Sequence, residues 1–142
     1  MINKQQLIDE AAATMELRFV RPIPGFPNHN IFSLIESKET APFYKLCPIE
    51  GEFSFLLLHT FDFMKDYEFT LPDVEKHLLK LDEDSKVLVF SIVNWRGGLK
   101  EATINLKAPI VVNISEKIAL QVILDSDQYK VNQSLFQALE QK

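Results

Sequence analysis

Two stretches of the chain, Phe53-Ser-Phe-Leu-Leu-Leu58 and Val87-Leu-Val-Phe-Ser-Ile-Val93, are apolar almost without interruption. A strand with one wet face would alternate, so these predict strands buried on both faces. Something must then cover the second face of the sheet, and residues 72–81 supply a candidate. Val74, Leu78 and Leu81 recur at helical spacing, while Asp73, Lys76 and Lys80 point elsewhere. Pro72 suits a first helical turn and Asp73 complements the positive end of the helix dipole. The pattern predicts one amphipathic helix packed on a strongly bent sheet.

Shorter strands are predicted over residues 30–36, 43–47 and 118–124. Pro22, Pro24, Gly25 and Pro27 force a turn-rich crossing before the first of them. Trp95-Arg-Gly-Gly-Leu99 reads as a hairpin loop whose glycines take positive φ without steric cost. At the ends the pattern is weaker, and residues 1–19 and 130–142 are the least determined. Residues 5–18 are rich in Ala, Glu, Leu and Met, which favours helix. Residues 132–141 offer Asn132 as a cap with Leu135, Phe136 and Leu139, but are about one turn short of an independently stable helix. That segment either docks on the body or is a ragged tail.

The run Glu101-Ala-Thr-Ile-Asn-Leu-Lys-Ala-Pro-Ile-Val-Val-Asn113 predicts two short strands joined by a bend. Pro109 cannot donate to a ladder and biases Ala108 away from helix, so the bend falls between them. Asn105 and Asn113 flank it, and the expectation is that their carboxamides tie its backbone.

At 142 residues the chain is expected to be a single domain, 1–142. Fifteen Lys and Arg against twenty Asp and Glu give a net charge of −5. With no basic cluster, this speaks against direct nucleic-acid binding and fits a basic partner protein better. Cys47 is the only cysteine, so an internal disulfide is impossible, and it reads as a small apolar filler. The start Met1-Ile-Asn-Lys-Gln-Gln has no apolar core of signal-peptide length, and no apolar run approaches the ~20 residues that span a bilayer. A cytoplasmic protein without membrane contact is expected. His29, His59 and His77 lack metal-ligand spacing, and no phosphate loop, nucleophile elbow or Cys-His constellation is present. The chain reads as a non-enzyme without cofactor or metal.

Between Asp66 and Asp84 lie seven acids against Lys76 and Lys80. The bland reading is a solvated helix with its loops. In Asp66-Tyr67-Glu68-Phe69, strand alternation would put Tyr67 and Phe69 on one face and the two carboxylates on the other. An exposed pair of that kind, beside Asp73, can orient a basic partner. Tyr129, after Asp125 and Asp127, either anchors an interface or lids the end of a barrel.

Four motifs occur in one order: Pro24-Gly25-Phe26; Pro42-Phe43-Tyr44-x-Leu46; Phe61-x-Phe63-x-x-Asp66-Tyr67-Glu68-Phe69; and Asn105-Leu-x-Ala-Pro109-Ile-x-x-Asn113 followed by Gln121-Val-Ile-Leu124 and Tyr129. Together they resemble the FliW family of flagellar assembly factors, over residues 24–129. The resemblance implies an extended rather than helical entry before Pro24, and a strand ending near Phe19 stands beside the helical reading. The expected fold is mainly β: a strongly bent antiparallel sheet forming a partly closed barrel, with one short helix packed against it.

The resemblance implies a protein that binds the RNA-binding translational regulator CsrA and newly made flagellin, coupling flagellin synthesis to export. Asp66, Tyr67, Glu68, Asp73, Asp125, Asp127 and Tyr129 are the candidate partner-binding residues. Gly25, Phe26, Asn105, Pro109 and Asn113 are the candidate structural ones. This chain departs from the family pattern in three places. His59-Thr60-Phe61 replaces Pro-Phe, Val131-Asn132-Gln133 stands where an Arg commonly follows the final Tyr, and the N-terminus is only loosely similar. The competing expectation is a small β-barrel that binds an apolar ligand or lipid, with the eleven Phe as its lining.

Overall fold

Successive side chains leave opposite faces of a strand. Along β5 (Val87–Asn94), Leu88, Phe90 and Ile92 therefore go one way and Val89, Ser91 and Val93 the other. The computed structural model, which describes residues 13–140, places the first set in one core and both valines in a second. Phe55 and Leu57 of β4 (Phe55–His59) likewise face the first core, and Leu56 and Leu58 the second. Two-sided burial is why these runs lack polar alternation.

Seven strands enclose the first core. Besides β4 and β5 they are β1 (Ala13–Phe19), β2 (Ile31–Glu36), β3 (Tyr44–Pro48), β7 (Ile110–Asn113) and β8 (Ile118–Gln121). Their order is β4-β3-β2-β1-β8-β7-β5, and β5 pairs back onto β4, which closes the barrel. Each pair is antiparallel except β1 with β8, a parallel seam in which Arg18 faces Ile118 and Phe19 faces Ala119. β6 (Thr103–Ile104) and β9 (Gln133–Ser134) extend the sheet beyond β5. The expectation of a mainly β, strongly bent sheet curled into a barrel is met, with the barrel closed rather than partly closed and one parallel seam in the otherwise antiparallel sheet.

Leu17, Phe19, Phe32, Leu46, Leu57 and Phe90 fill the barrel, each at most 2% exposed. The turn at Pro24-Gly25 covers part of this core. Phe26 N–H donates to Ile23 O at 2.9 Å, and Gly25 has φ of +91°. Proline at the first central position and glycine at the second are what a type II turn requires. The turn delivers Phe26 onto Phe53, ring centroids 4.5 Å apart, and edge-on to Phe55 at 5.1 Å.

Several pieces, rather than one helix, cover the outer core. They include Tyr67, Leu79, Leu106, Leu124, Leu135 and Ala138. Three short helices occur among the described residues: α1 (Thr60–Phe63), α2 (Asp73–Leu78) and α3 (Leu135–Glu140). In α2 the predicted apolar face holds at Leu78 and Leu81, which pack against the outer core, and is corrected at Val74, which is 65% exposed, while Leu79, just past the helix, is fully buried. The predicted spacing assumed a helix running to Leu81. Instead Lys80 takes φ of +54° and Leu81 N–H reaches back to Lys76 O at 3.0 Å, ending the helix and turning Leu79 inward.

Other local expectations also change. β1 is extended where propensity favoured helix, because residues 13–18 pair with β2 and Leu17 enters the core. The rest of that helical expectation, residues 5–12, lies outside the described residues. Residues 66–69 alternate in burial as expected, but form no strand. In the β5–β6 loop Arg96 and Gly97 take positive φ, and Gly98 does not. α3 docks through Leu135 and Ala138, and its cap is Ser134, whose Oγ accepts Gln137 N–H at 3.3 Å, rather than Asn132.

Candidate functional site

The bend after β6 organises the surface. Val93 pairs with Ile104 and Phe90 with Ile110. Thus β5 advances three residues (93 to 90) while its neighbour advances six (104 to 110), and three extra residues bulge outward. Asn105 makes the bulge as expected, its Oδ1 accepting Lys107 N–H and Ala108 N–H, both at 3.1 Å. Asn113 does not reach it. Its Oδ1 accepts Ser115 N–H (3.1 Å) and Glu116 N–H (3.3 Å), and its Nδ2 donates to Leu79 O at 2.8 Å. Asn113 sits at the far end of β7 from Pro109, so it ties the next turn and the end of α2 instead.

The bulge turns its backbone polar groups toward the C-terminal part of the chain. Pro109 O accepts Val122 N–H at 2.9 Å and Lys107 O accepts Leu124 N–H at 2.8 Å. Ala108 O accepts Gln121 Nε2 at 3.1 Å, and Leu106 N–H donates to Lys130 O at 2.9 Å. Leu106 O accepts the Tyr67 hydroxyl at 2.6 Å. Tyr67 is 3% exposed, and burial, with Tyr129 beside it, pushes its pKa well above the ordinary tyrosine value. The hydroxyl therefore remains a donor at neutral pH.

Tyr67 holds Asp66 and Glu68 outward. The Tyr129 ring lies 4.6 Å from that of Tyr67, and the Tyr129 hydroxyl accepts Glu68 N–H at 3.0 Å. Between residues 68–72 and 123–129 runs a groove of about 550 Å³, lined by Glu68, Phe69, Thr70, Pro72, Ile123, Asp125 and Tyr129 among others. Ile123 is 63% exposed.

Of the candidate partner-binding residues, Glu68, Asp125 and Tyr129 meet in this groove and Tyr67 lies buried at its side. Asp66, Asp73 and Asp127 are exposed but do not line it. Asp127 approaches Lys107 Nζ at 3.8 Å. Parts of the acidic run have structural roles: Glu75 pairs with Arg21 at 3.2 Å, and Asp82 Oδ1 accepts Asp84 N–H at 2.9 Å. No ion pair engages Asp66, Glu68, Asp73 or Asp125 among the described residues. Sequence reading missed Ile123 because the predicted strand ran to Leu124, whereas β8 ends at Gln121. Its signal was an isoleucine in the outward phase between buried Val122 and Leu124.

Among the described residues no group of His, Cys, Asp and Glu could hold a metal, and no helix is long and apolar enough to cross a membrane. Fold and groove define a small closed β-barrel with an acidic, partly apolar surface cleft on its outer layer. The chain belongs to the FliW family, whose family description, FliW protein, matches residues 3–135. It is 38% identical over 128 residues to flagellar assembly factor FliW of Desulfitobacterium hafniense (strain DSM 10664 / DCB-2), covering 89% of this chain and 84% of that protein. The FliW of Clostridium kluyveri (strain ATCC 8527) is 39% identical over 119 residues, covering 83% and 82%. A crystal structure of the flagellar assembly factor FliW superposes with a TM-score of 0.79 at 28% identity, covering 96% of this chain and 89% of that one.

Proposed function

We propose that this chain is a non-catalytic, cytoplasmic binding protein that engages flagellin and CsrA in alternation. Flagellin, when it accumulates, occupies the factor, and freed CsrA represses flagellin translation. When flagellin is exported, the factor returns to CsrA and repression lifts. Family membership supports the flagellar role. The observation that carries the binding surface is the pair Glu68 and Asp125 lining a partly apolar groove, with Asp66 exposed beside it, none of them ion-paired among the described residues, held by the Tyr67–Leu106 and Glu68–Tyr129 bonds. An acidic domain docked beside a basic RNA-binding surface disfavours a phosphate backbone there. The apolar-ligand alternative needs a hollow barrel, and Phe19, Phe32 and Phe90 instead fill the interior against aliphatic neighbours.

The test is titration with CsrA and with flagellin from the same organism. Binding to CsrA is expected to weaken with salt, since rim charges are screened beyond ~10 Å at 0.1 M. Asp66→Lys with Glu68→Lys is expected to abolish CsrA binding with little change in melting temperature, because solvated carboxylates contribute roughly 0–1 kcal/mol to stability. Glu83→Lys with Asp84→Lys makes the same change in net charge on the exposed loop before β5. Equal loss of binding from that pair would mean that only net charge matters.

A further inference from the structure

The groove has a second property besides its charge. Val122 and Leu124 donate their N–H groups toward the bulge, to Pro109 O and Lys107 O. In an extended segment this turns the backbone groups of residues 121, 123 and 125 to the opposite edge. At Ala119 that edge is occupied by the segment leaving β1, Val20 N–H donating to Ala119 O at 2.9 Å. The parallel pairing ends there, at the start of the turn-rich crossing. Beyond it, among the described residues, no backbone partner takes the N–H or C=O of Ile123. Among the described residues the sheet therefore ends at the groove with an open edge.

Folded proteins usually blunt such edges with lysine, proline or a covering segment. Here the residue at the edge is an isoleucine 63% exposed, with Asp125 two residues further along the same segment and Glu68 on the other side of the groove. Neither carboxylate has an ion-pair partner among the described residues. Resting on the reading that this groove contacts partner proteins, we propose that residues 121–125 accept an extended, basic segment of a partner as an added strand. Backbone pairing at Ile123 supplies affinity, an apolar partner side chain covers Ile123, and Lys or Arg two positions to either side of it, on the same face, meet Glu68 and Asp125. Five residues of edge span roughly 16 Å, enough for a segment of similar length.

The experiment needs neither CsrA nor flagellin, so its outcome is independent of whether those proteins bind. ¹⁵N-labelled full-length protein is titrated with a capped heptapeptide that has Val at its centre, Lys two positions to either side and Ser elsewhere, and with a twin carrying Glu in place of Lys. The expected result is shifts at Glu68, Ile123 and Asp125, and an Ile123 amide whose hydrogen exchange slows with the Lys peptide only. Ile123→Pro removes that N–H and leaves both carboxylates, and is expected to weaken the Lys peptide roughly two- to tenfold. Ile123→Ala keeps the N–H and should still show slowed exchange at position 123. The proposal is overturned if the Lys peptide leaves the groove unshifted or if the Glu twin binds equally. It is also overturned if the Ile123 amide is already slow in the free monomer, which would mean the chain's own ends cover the edge. Slowing that tracks a concentration-dependent dimer would assign the edge to a second copy instead.

Discussion

Tyr67→Phe isolates a single bond beneath the groove. The ring is kept, with its contacts to Tyr129 at 4.6 Å and Phe69 at 5.6 Å. What is lost is the 2.6 Å bond from the hydroxyl to Leu106 O. Leu106 is 1% exposed, so its carbonyl is left buried without that donor. A typical intramolecular hydrogen bond is worth about 0.5–1.5 kcal/mol net, but orphaning a buried acceptor costs about 1–3 kcal/mol. The second range applies, because the Leu106 carbonyl that loses its donor is buried. For 142 residues the unfolding entropy near 60 °C is about 142 × 2.1 cal/mol/K, or roughly 0.3 kcal/mol/K. A loss of about 1–3 kcal/mol then lowers Tm by roughly 3–10 °C. Calorimetry or thermal circular dichroism measures this directly. Tyr129→Phe is the comparison: its hydroxyl serves the N–H of exposed Glu68, which water can replace, so a drop of under about 1 kcal/mol is expected. If Tyr67→Phe melts within a degree of the parent, the hydroxyl does not anchor residues 66–69 and the account of how the carboxylates are held outward fails.

Phe90→Ala, in the filled barrel, is expected to cost about 3–5 kcal/mol in denaturant unfolding, comparable to the whole stability of many small domains; an unchanged midpoint would mean the barrel interior is misassigned. Asn113→Ala should cost more than Asn105→Ala, because Asn113 is 1% exposed and leaves Leu79 O without its donor; equal losses by urea titration would remove the α2 staple from the picture. Alkaline pH should destabilise the fold. Burial, then the charge of Glu36 and the hydrogen bond to it, raise the Tyr44 pKa to about 12, so above ~10 the unfolded chain releases this proton while the folded chain keeps it. Stability therefore falls from about pH 10 upward, Tyr67 adding in the same direction, and Tyr44→Phe should flatten that slope in pH-dependent melts.

The uninterrupted apolar runs at residues 53–58 and 87–93 were enough to say that the sheet has two buried faces, since strand geometry leaves no third direction for those side chains. Pro24-Gly25 and Asn105 were equally legible, because a type II turn and an asparagine-tied bend are satisfied by near neighbours in the chain. Family membership was carried by short motifs in a fixed order. What pattern could not supply is whatever depends on partners distant in sequence. Residues 13–18 have helical propensity, and only pairing with β2 makes them a strand. The acidic stretch looked uniform, yet Arg21 neutralises Glu75 while Glu68 is left facing Asp125 across the groove, some 57 residues further on (125 − 68). Ile123 became an exposed edge residue because β1 ends its pairing at Ala119, a choice made by the chain's path through the proline-rich crossing. Local dihedral preferences act over a few residues, whereas burial, charge compensation and open edges are properties of the assembled surface.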